Sequence, residues 1–175
     1  MIKNLRVVGN RVNEILGNKQ LKQRALFRSG SIENIASTNE MPKVETIINR
    51  RRTNDPAYSE IRNKQICPQS SMNNYDIASS VFRDWIGRIF RDITQNCVWP
   101  ILMHCHAGKD RTGVAVALLL KNIGISDKVI IEEYMKSKGT LYPESVGQLL
   151  YEAKNIDYLK MSDRQKSKLI SLLAQ

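Results

Sequence analysis

Cysteine and histidine are both scarce in this chain, which has three cysteines and two histidines among 175 residues. A small and odd number of cysteines excludes the disulfide framework that holds many small secreted domains together. Neither a CxxC pair nor an HExxH motif occurs, so the usual patterns of a zinc site are missing as well. Both histidines flank one cysteine, in His104-Cys105-His106. We therefore expect no disulfide framework, no metal and no cofactor.

Long apolar runs are missing too. The longest, Val114 to Leu120, is far too short to cross a bilayer, and the first ten residues lack the apolar core of a secretory signal. No repeat and no linker rich in proline or glycine divides the chain, whose length is sufficient for a proper core. We expect a single monomeric domain over residues 1–175 in the cytoplasm. A bacterial effector exported by other machinery would show the same pattern.

Acidic residues are few relative to basic ones. The chain has 17 aspartates and glutamates against 27 lysines and arginines, which gives a net charge of +10. Such a surface attracts polyanions, among them nucleic acid, acidic membranes and phosphorylated substrates. The charge alone does not choose between these classes.

Strand patterns come early in the chain and helix patterns come late. Short apolar or β-branched runs bounded by turn residues predict strands at 26–28, 44–49, 65–67 and 100–103. From Ile77 to Ile93 the apolar period changes to three or four residues, as in an amphipathic helix. Further helices are predicted over 114–121 and from Ser126, Pro143 and Ser162 onward. The order predicts an α/β domain with a small, mostly parallel central sheet and a helical C-terminal half.

One segment between a buried strand and a buried helix carries the chemistry. It reads His104-Cys105-His106-Ala107-Gly108-Lys109-Asp110-Arg111-Thr112-Gly113. A loop wrapped over a helix N-terminus aims its backbone N–H groups inward and forms a nest for a tetrahedral anion. Arg111 offers a planar fork for two phosphate oxygens, and the same positive field stabilises a thiolate at Cys105. Thr112 is placed to donate a hydrogen bond to the sulfur. The loop predicts a nucleophilic cysteine beneath a bound phosphate.

The segment HCHAGKDRTG resembles the signature loop of the cysteine-based protein tyrosine phosphatase superfamily. More narrowly, it is similar to the bacterial atypical branch of tyrosine and lipid phosphatases, which carries an HCxAGKDRTG loop. Two earlier segments support the resemblance: Leu26 to Gly30 matches that branch's LFRSG, and Val44 to Arg51 is similar to its IIDLR strand. The resemblance implies a three-layer α/β/α fold and a covalent phosphocysteine intermediate, without a metal.

The resemblance also implies an activity and a set of partners. It points to a phosphomonoesterase of the protein tyrosine or dual-specificity type. A phosphoinositide or inositol-polyphosphate phosphatase is the alternative enzyme, and a non-catalytic phosphate-binding module is the alternative outside enzymes. We expect phosphorylated proteins or phosphoinositides as partners, with peripheral contact to acidic membranes, and no nucleic acid. The expected substrate-binding residues are His106, Ala107, Gly108, Lys109, Asp110, Arg111 and Thr112.

The leaving oxygen needs a proton, and the sequence offers two candidate acids. Asp110 lies in the loop beside Arg111, and Asp76 lies 29 residues before Cys105, near the spacing at which relatives carry an acid. Asp76 has an alternative role, since the helix dipole favours aspartate at the start of the amphipathic helix. The related branch has an acid at the position of Asn49, and asparagine cannot supply a proton in that way. We favour Asp110 and keep Asp76 as the second candidate.

Three consecutive arginines follow the second predicted strand. If that strand runs parallel to the strand before Cys105, Arg50, Arg51 and Arg52 emerge at the edge of the sheet that carries the active site. Strand alternation would then send Arg50 and Arg52 to one side and Arg51 to the other. With Lys109 and His106 nearby, we expect more positive charge than one phosphate requires.

Overall fold

The computed structural model of the protein describes residues 1–139, 142–154 and 161–175. Within these residues the chain forms five strands, six α-helices and one 3-10 turn. In chain order the elements are β1 (Arg6–Val7), α1 (Val8–Leu16), β2 (Leu26–Ser29), the 3-10 turn (Thr38–Glu40), β3 (Thr46–Asn49), β4 (Arg62–Gln65), α2 (Ser80–Gln95), β5 (Ile101–His104), α3 (Asp110–Asn122), α4 (Asp127–Met135), α5 (Pro143–Glu152) and α6 (Asp163–Leu173).

The five strands form one sheet in the order β1-β2-β5-β3-β4. Only the short β1 pairs antiparallel, and β2, β5, β3 and β4 run parallel to one another. In the register of the sheet, Ser29 and Asn49 both lie beside His104, the last residue of the central strand. The carboxyl ends of three strands therefore meet at the place where Cys105 begins its loop.

Alternation along the strands separates two apolar faces. Leu26, Ile48 and Met103 pack into the larger core, together with buried residues of all six helices. Phe27, Ile47 and Leu102 form the smaller core on the opposite face. That core is covered by Ile2 and by the irregular segment from Ile32 to Val44, which contains the 3-10 turn. The predicted α/β fold, with a small, mostly parallel sheet and a helical C-terminal half, is confirmed.

Helix α3 crosses the middle of the larger core. Every residue from Thr112 to Leu120 is buried, as its nearly uniform apolar sequence predicts. The helix follows the loop after β5 directly, so its N-terminus lies under that loop. In the described part of the chain, no helix is both long and apolar enough to span a bilayer.

The structure departs from the predicted elements at the chain's polar segments. The strand predicted at Gln65–Cys67 is β4, which the structure places at Arg62–Gln65. The prediction missed its start because this edge strand is largely exposed and has no apolar pattern. Strand β1 and helix α1 were not predicted. Helix α1 contains glycine and asparagine, which have low helix propensity, and tertiary contacts hold it in place. Asn13, for example, donates to the carbonyl of Leu21 at 2.8 Å.

The amphipathic helix begins later than its apolar pattern suggests. Helix α2 starts at Ser80, and Asp76 lies before it in a turn. There the N–H of Ser79 donates to both the carbonyl and the side chain of Asp76, each at 3.2 Å. The expectation that Asp76 opens the helix is therefore wrong, because this Asp turn occupies the residues where the first helical turn was expected.

Candidate active site

Cys105 lies at the centre of the carboxyl edge of the sheet, between β5 and α3. Its side chain is almost wholly buried. The loop from Cys105 to Lys109 then turns the chain into α3. The strand, the loop and the helix are consecutive in sequence, so the placement of the nucleophile over a helix N-terminus follows from local chain order alone.

The carbonyl groups of the loop are held outward by neighbouring segments. The His106 carbonyl accepts from the N–H of Ser31 at 2.9 Å, and the Ala107 carbonyl accepts from the Asn4 side chain at 2.8 Å. The Gly108 carbonyl accepts from the Arg28 guanidinium at 3.0 Å. With the carbonyls turned away, the N–H groups face the space above the sulfur, which is the nest that a tetrahedral anion requires.

Arg28 supports the loop from inside the protein. Its guanidinium is fully buried and pairs with the Glu133 carboxylate at 2.6 Å, while its other nitrogen reaches the loop carbonyl. Arg6 binds the second oxygen of Glu133 at 2.8 Å. The carboxylate is therefore shared by two cations and held by charge-assisted hydrogen bonds, so that β1, β2 and α4 together fix the loop.

The loop also packs tightly against the turn after β2. Gly108 has a φ of 71°, and a Cβ at this position would overlap the backbone of Ser29 and Gly30. Glycine is the residue that tolerates both the positive φ and this close approach. The LFRSG segment therefore acts as the support on which the nucleophile loop rests.

The Cys105 thiol is more acidic than an ordinary cysteine. Burial by itself raises its pKa, but the charge of Arg50 and hydrogen bonds from Thr112 and the Gly108 N–H outweigh burial and lower the pKa. The expectation of a thiolate stabilised by the loop agrees with this direction, although the largest stabilising charge comes from Arg50 and not from Arg111.

The three arginines after β3 take positions that strand alternation does not predict. Arg50 is fully buried, whereas Arg51 and Arg52 both line the cavity beside the nucleophile loop. The alternation ends at Asn49, whose side chain accepts from the Arg51 N–H at 2.7 Å and donates to the Thr53 carbonyl at 2.9 Å. These bonds bend the chain, which places Arg51 and Arg52 on the same side and corrects the predicted split.

A cavity of about 540 Å³ opens beside the loop. Its wall carries the guanidinium groups of Arg51, Arg52 and Arg111 and the imidazole of His106, and among the described residues no aspartate or glutamate lines it. Arg111 is anchored here, since it donates to the carbonyl of Arg50 at 2.8 Å. The rest of the wall comes from the segment between β4 and α2, with Pro68, Gln69, Ser70, Met72 and Asn74. Such a cavity suits a negatively charged ligand.

His104 and Asp55 form a buried pair next to the nucleophile. The His104 Nε2 and an Asp55 oxygen are 2.7 Å apart, and both side chains are fully buried. The other Asp55 oxygen lies 3.8 Å from Arg51, which also pairs with Glu33. Asp55 therefore links the residue before Cys105 to the cavity wall. The sequence identifies Asp55 only as part of a turn, so its role at the site was missed.

The two candidate acids, Asp110 and Asp76, have different surroundings. One Asp110 oxygen accepts from the Tyr75 hydroxyl at 2.8 Å, and that hydroxyl is 2.6 Å from the hydroxyl of Tyr134. Burial is the main reason that the pKa of Tyr75 is raised, and burial also raises the pKa of Tyr134 to about 12. Asp76 is exposed, and neither aspartate lines the 540 Å³ cavity. The choice of general acid stays a prediction.

The predicted substrate-binding residues of the loop differ in exposure and in contacts. His106 is exposed on the rim, and the Thr112 side chain is buried beneath it. Lys109 does not line the cavity, and its ammonium donates to the Gly139 carbonyl at 2.8 Å. The expected role of Lys109 in substrate binding stays a prediction.

The family model and the curated relative that match this chain both describe protein phosphatases. A model of the tyrosine phosphatase family matches residues 41–161. The triple specificity protein phosphatase PtpB of Mycobacterium tuberculosis is 48% identical over 42 residues, which are 24% of this chain and 15% of PtpB. The match to this curated relative is thus confined to a small part of its length.

Two solved structures share the fold. The core catalytic domain of the PP-IP phosphatase SIW14 from S. cerevisiae superposes with a TM-score of 0.53 at 18% identity, covering 80% of this chain and 94% of that one. P. aeruginosa TpbA gives a TM-score of 0.55 at 16% identity, covering 83% and 86%. At such identities the likeness shows the common architecture.

Proposed function

The chain belongs to the tyrosine phosphatase family, and we propose that it hydrolyses phosphate monoesters through a covalent phosphocysteine. The observation that carries this proposal is the buried Cys105, whose pKa is lowered in a loop that turns its N–H groups toward the sulfur. A thiolate at the bottom of an anion nest is placed to attack a phosphorus bound there.

The reaction takes place in two steps. The Cys105 thiolate attacks phosphorus while the loop N–H groups and Arg111 bind the three equatorial oxygens. The leaving oxygen takes a proton from Asp110 or Asp76, which releases the alcohol or phenol. Water then attacks the phosphocysteine, inorganic phosphate leaves, and the hydroxyl of Thr112 donates to the sulfur as its negative charge returns.

Substitution of the nucleophile tests this proposal. We expect Cys105→Ser to reduce turnover of an aryl phosphate to below about one per cent of wild type, since loss of a covalent nucleophile removes several powers of ten in rate. Vanadate should inhibit the wild type and EDTA should not. The matched control is Cys97→Ser, which changes a thiol just after the C-terminal end of α2 and should keep full activity. A fully active Cys105→Ser variant would sink the proposed mechanism.

A phosphoinositide or inositol polyphosphate is the second candidate substrate, beside phosphotyrosine in proteins. The observation in its favour is the cavity wall of Arg51, Arg52, Arg111 and His106, to which the described part of the chain adds no acidic residue. One phosphate bound over Cys105 uses the loop and Arg111, and Arg51 already pairs with Glu33 and Asp55, so Arg52 is the arginine of the wall that can bind a second anionic group on the same substrate.

A further inference from the structure

Arg50 places a guanidinium inside the protein, directly beside the nucleophile. The residue follows β3, its N–H donates to the His104 carbonyl at 3.0 Å, and its side chain is fully buried. Because Asn49 and His104 are partners in the sheet, Arg50 and Cys105 are the next residues on neighbouring strands. Arg50 thus lies beneath the loop, whereas Arg111 lines the cavity.

The hydrogen-bond potential of this guanidinium is mostly unused. Its Nη1 is 3.2 Å from the sulfur of Met103. Within the described ranges, its Nε and Nη2 have no hydrogen-bond partner, and no carboxylate forms an ion pair with it. A buried cation without a counter-charge is strongly unfavourable, so an anion is expected close by.

The neighbouring buried arginines have such an anion, which makes Arg50 different. Arg28 pairs with Glu133 at 2.6 Å, and Arg51 pairs with Glu33 and Asp55. For Arg50, the group at hand that can carry a negative charge is the Cys105 thiol.

We propose that Arg50 is the resident charge partner of the Cys105 thiolate, acting on the reactivity of the nucleophile while Arg111 binds the substrate phosphate. The inference rests on the proposed function and adds a positioning residue to it. The mutual effects on acidity agree: burial lowers the pKa of Arg50 to about 9 while Cys105 opposes that shift, and Arg50 in turn lowers the pKa of Cys105.

Other charged groups around this pair do not replace Arg50. Arg28 and Arg111 interact with its charge and have partners of their own. Tyr134, which interacts with Cys105 from α4, has a pKa of about 12 and stays neutral where the thiol titrates. The protonation of Cys105 should therefore respond to Arg50 more than to any of these groups.

The test is the pH dependence of Cys105 alkylation in Arg50→Leu, measured by iodoacetamide labelling and peptide mass spectrometry together with the melting temperature. We expect the midpoint of labelling to rise by about one pH unit or more, because the thiolate loses its nearest cation. The melting temperature should stay the same or rise, since the substitution removes a buried charge that no carboxylate pairs with.

Three further variants make the test specific. Arg50→Lys should keep part of the shift because it keeps the charge, and Arg50→Met repeats the neutral substitution with a flexible side chain should the leucine variant not fold. Arg88→Leu, on the exposed face of α2 and outside the cavity lining, is the matched control and should leave the midpoint unchanged. A fall in melting temperature with an unchanged midpoint in both neutral variants would make Arg50 a structural residue and overturn the proposal.

The proposed function and this inference fail in distinguishable ways. Alkylation needs no substrate, so a raised midpoint in Arg50→Leu would support the charge partnership even if wild-type turnover did not depend on Cys105. The converse result is turnover that depends on Cys105 but has the same acidic limb of the pH profile in wild type and Arg50→Leu. That result would support the proposed phosphatase activity and refute the role of Arg50.

Discussion

At the residue scale, the acidity of Cys105 results from two opposing effects. Burial disfavours the thiolate, and the charge of Arg50 with the hydrogen bonds from Thr112 and Gly108 favours it more strongly. Since the pKa of the folded state is lowered, the thiolate persists to a lower pH than in an ordinary cysteine and is lost only as the pH falls through that lowered value. Cys97 shows the contrast, because burial raises its pKa to about 11 and the charges of Lys64 and Arg62, which lower it, do not offset burial.

The two candidate acids are separable by their leaving-group dependence. If Asp110 donates the proton, Asp110→Asn should slow alkyl phosphates by about tenfold or more and p-nitrophenyl phosphate little, because only a poor leaving group needs the proton. Asp76→Asn should then be nearly silent. The measurement is kcat on both substrate types across pH.

Tyr75→Phe is the control for this experiment, since it removes the hydrogen bond to Asp110 and keeps the carboxyl group. It should preserve the difference between good and poor leaving groups. If Asp76→Asn instead shows the selective loss, the acid lies on the segment before α2, and Asp110 serves only to hold Tyr75.

At this scale, the sequence predicted those site residues that lie close together along the chain. Cys105, Arg111 and Thr112 share one short motif, so chemistry and spacing suffice to identify them. Arg50 and Asp55 reach the site through parallel strand pairing and a bend after β3, which no local pattern encodes. Their roles became visible only in the folded arrangement.

At the element scale, the nucleophile loop depends on the turn after β2 as much as on its own sequence. Gly108→Ala should destabilise the protein by roughly 2 kcal/mol or more and abolish turnover, because a Cβ adds backbone strain at positive φ and overlaps Ser29 and Gly30. Denaturant unfolding and aryl phosphate turnover measure the two effects.

Gly124→Ala is the matched control. Gly124 also has a positive φ, of 86°, but a Cβ there has open space and the residue lies beyond the far end of α3. We expect a loss of roughly 1 kcal/mol and unchanged turnover. Equal effects of the two substitutions would show that backbone strain alone matters and that packing against the turn does not.

The observed helices match the predicted ones where the apolar pattern and the capping residues agree. Pro143 opens α5, and Ser162 forms the predicted capping box with Gln165 at the start of α6. The mistakes fall on segments whose structure comes from tertiary contacts: the polar edge strand β4, and α1, which packs against α4. A local pattern carries little information about elements of this kind.

At the scale of the whole molecule, a net charge of +10 surrounds a cavity whose lining includes three arginines. Arg52→Ala should raise KM severalfold for a phosphoinositide and little for a small aryl phosphate, with the difference shrinking at high salt as the interaction is screened. Steady-state kinetics at two ionic strengths measures this.

Arg88→Ala, on the exposed face of α2, is the control for general surface charge. It should change neither KM appreciably. If Arg52→Ala affects both substrates equally, or if phosphoinositides are not hydrolysed, the cavity charge does not select a second anionic group, and phosphotyrosine in proteins becomes the better substrate class.

A covalent intermediate on Cys105 is the feature on which the proposed mechanism depends most directly. Rapid-quench reaction of the wild-type protein with an aryl phosphate, followed by peptide mass spectrometry, should find one phosphoryl group on the peptide that contains Cys105. The Cys105→Ser variant, treated in the same way, should carry none. Burst release of the phenol, equal to the amount of enzyme, with no phosphoryl group on Cys105 would contradict the mechanism and place the nucleophile elsewhere.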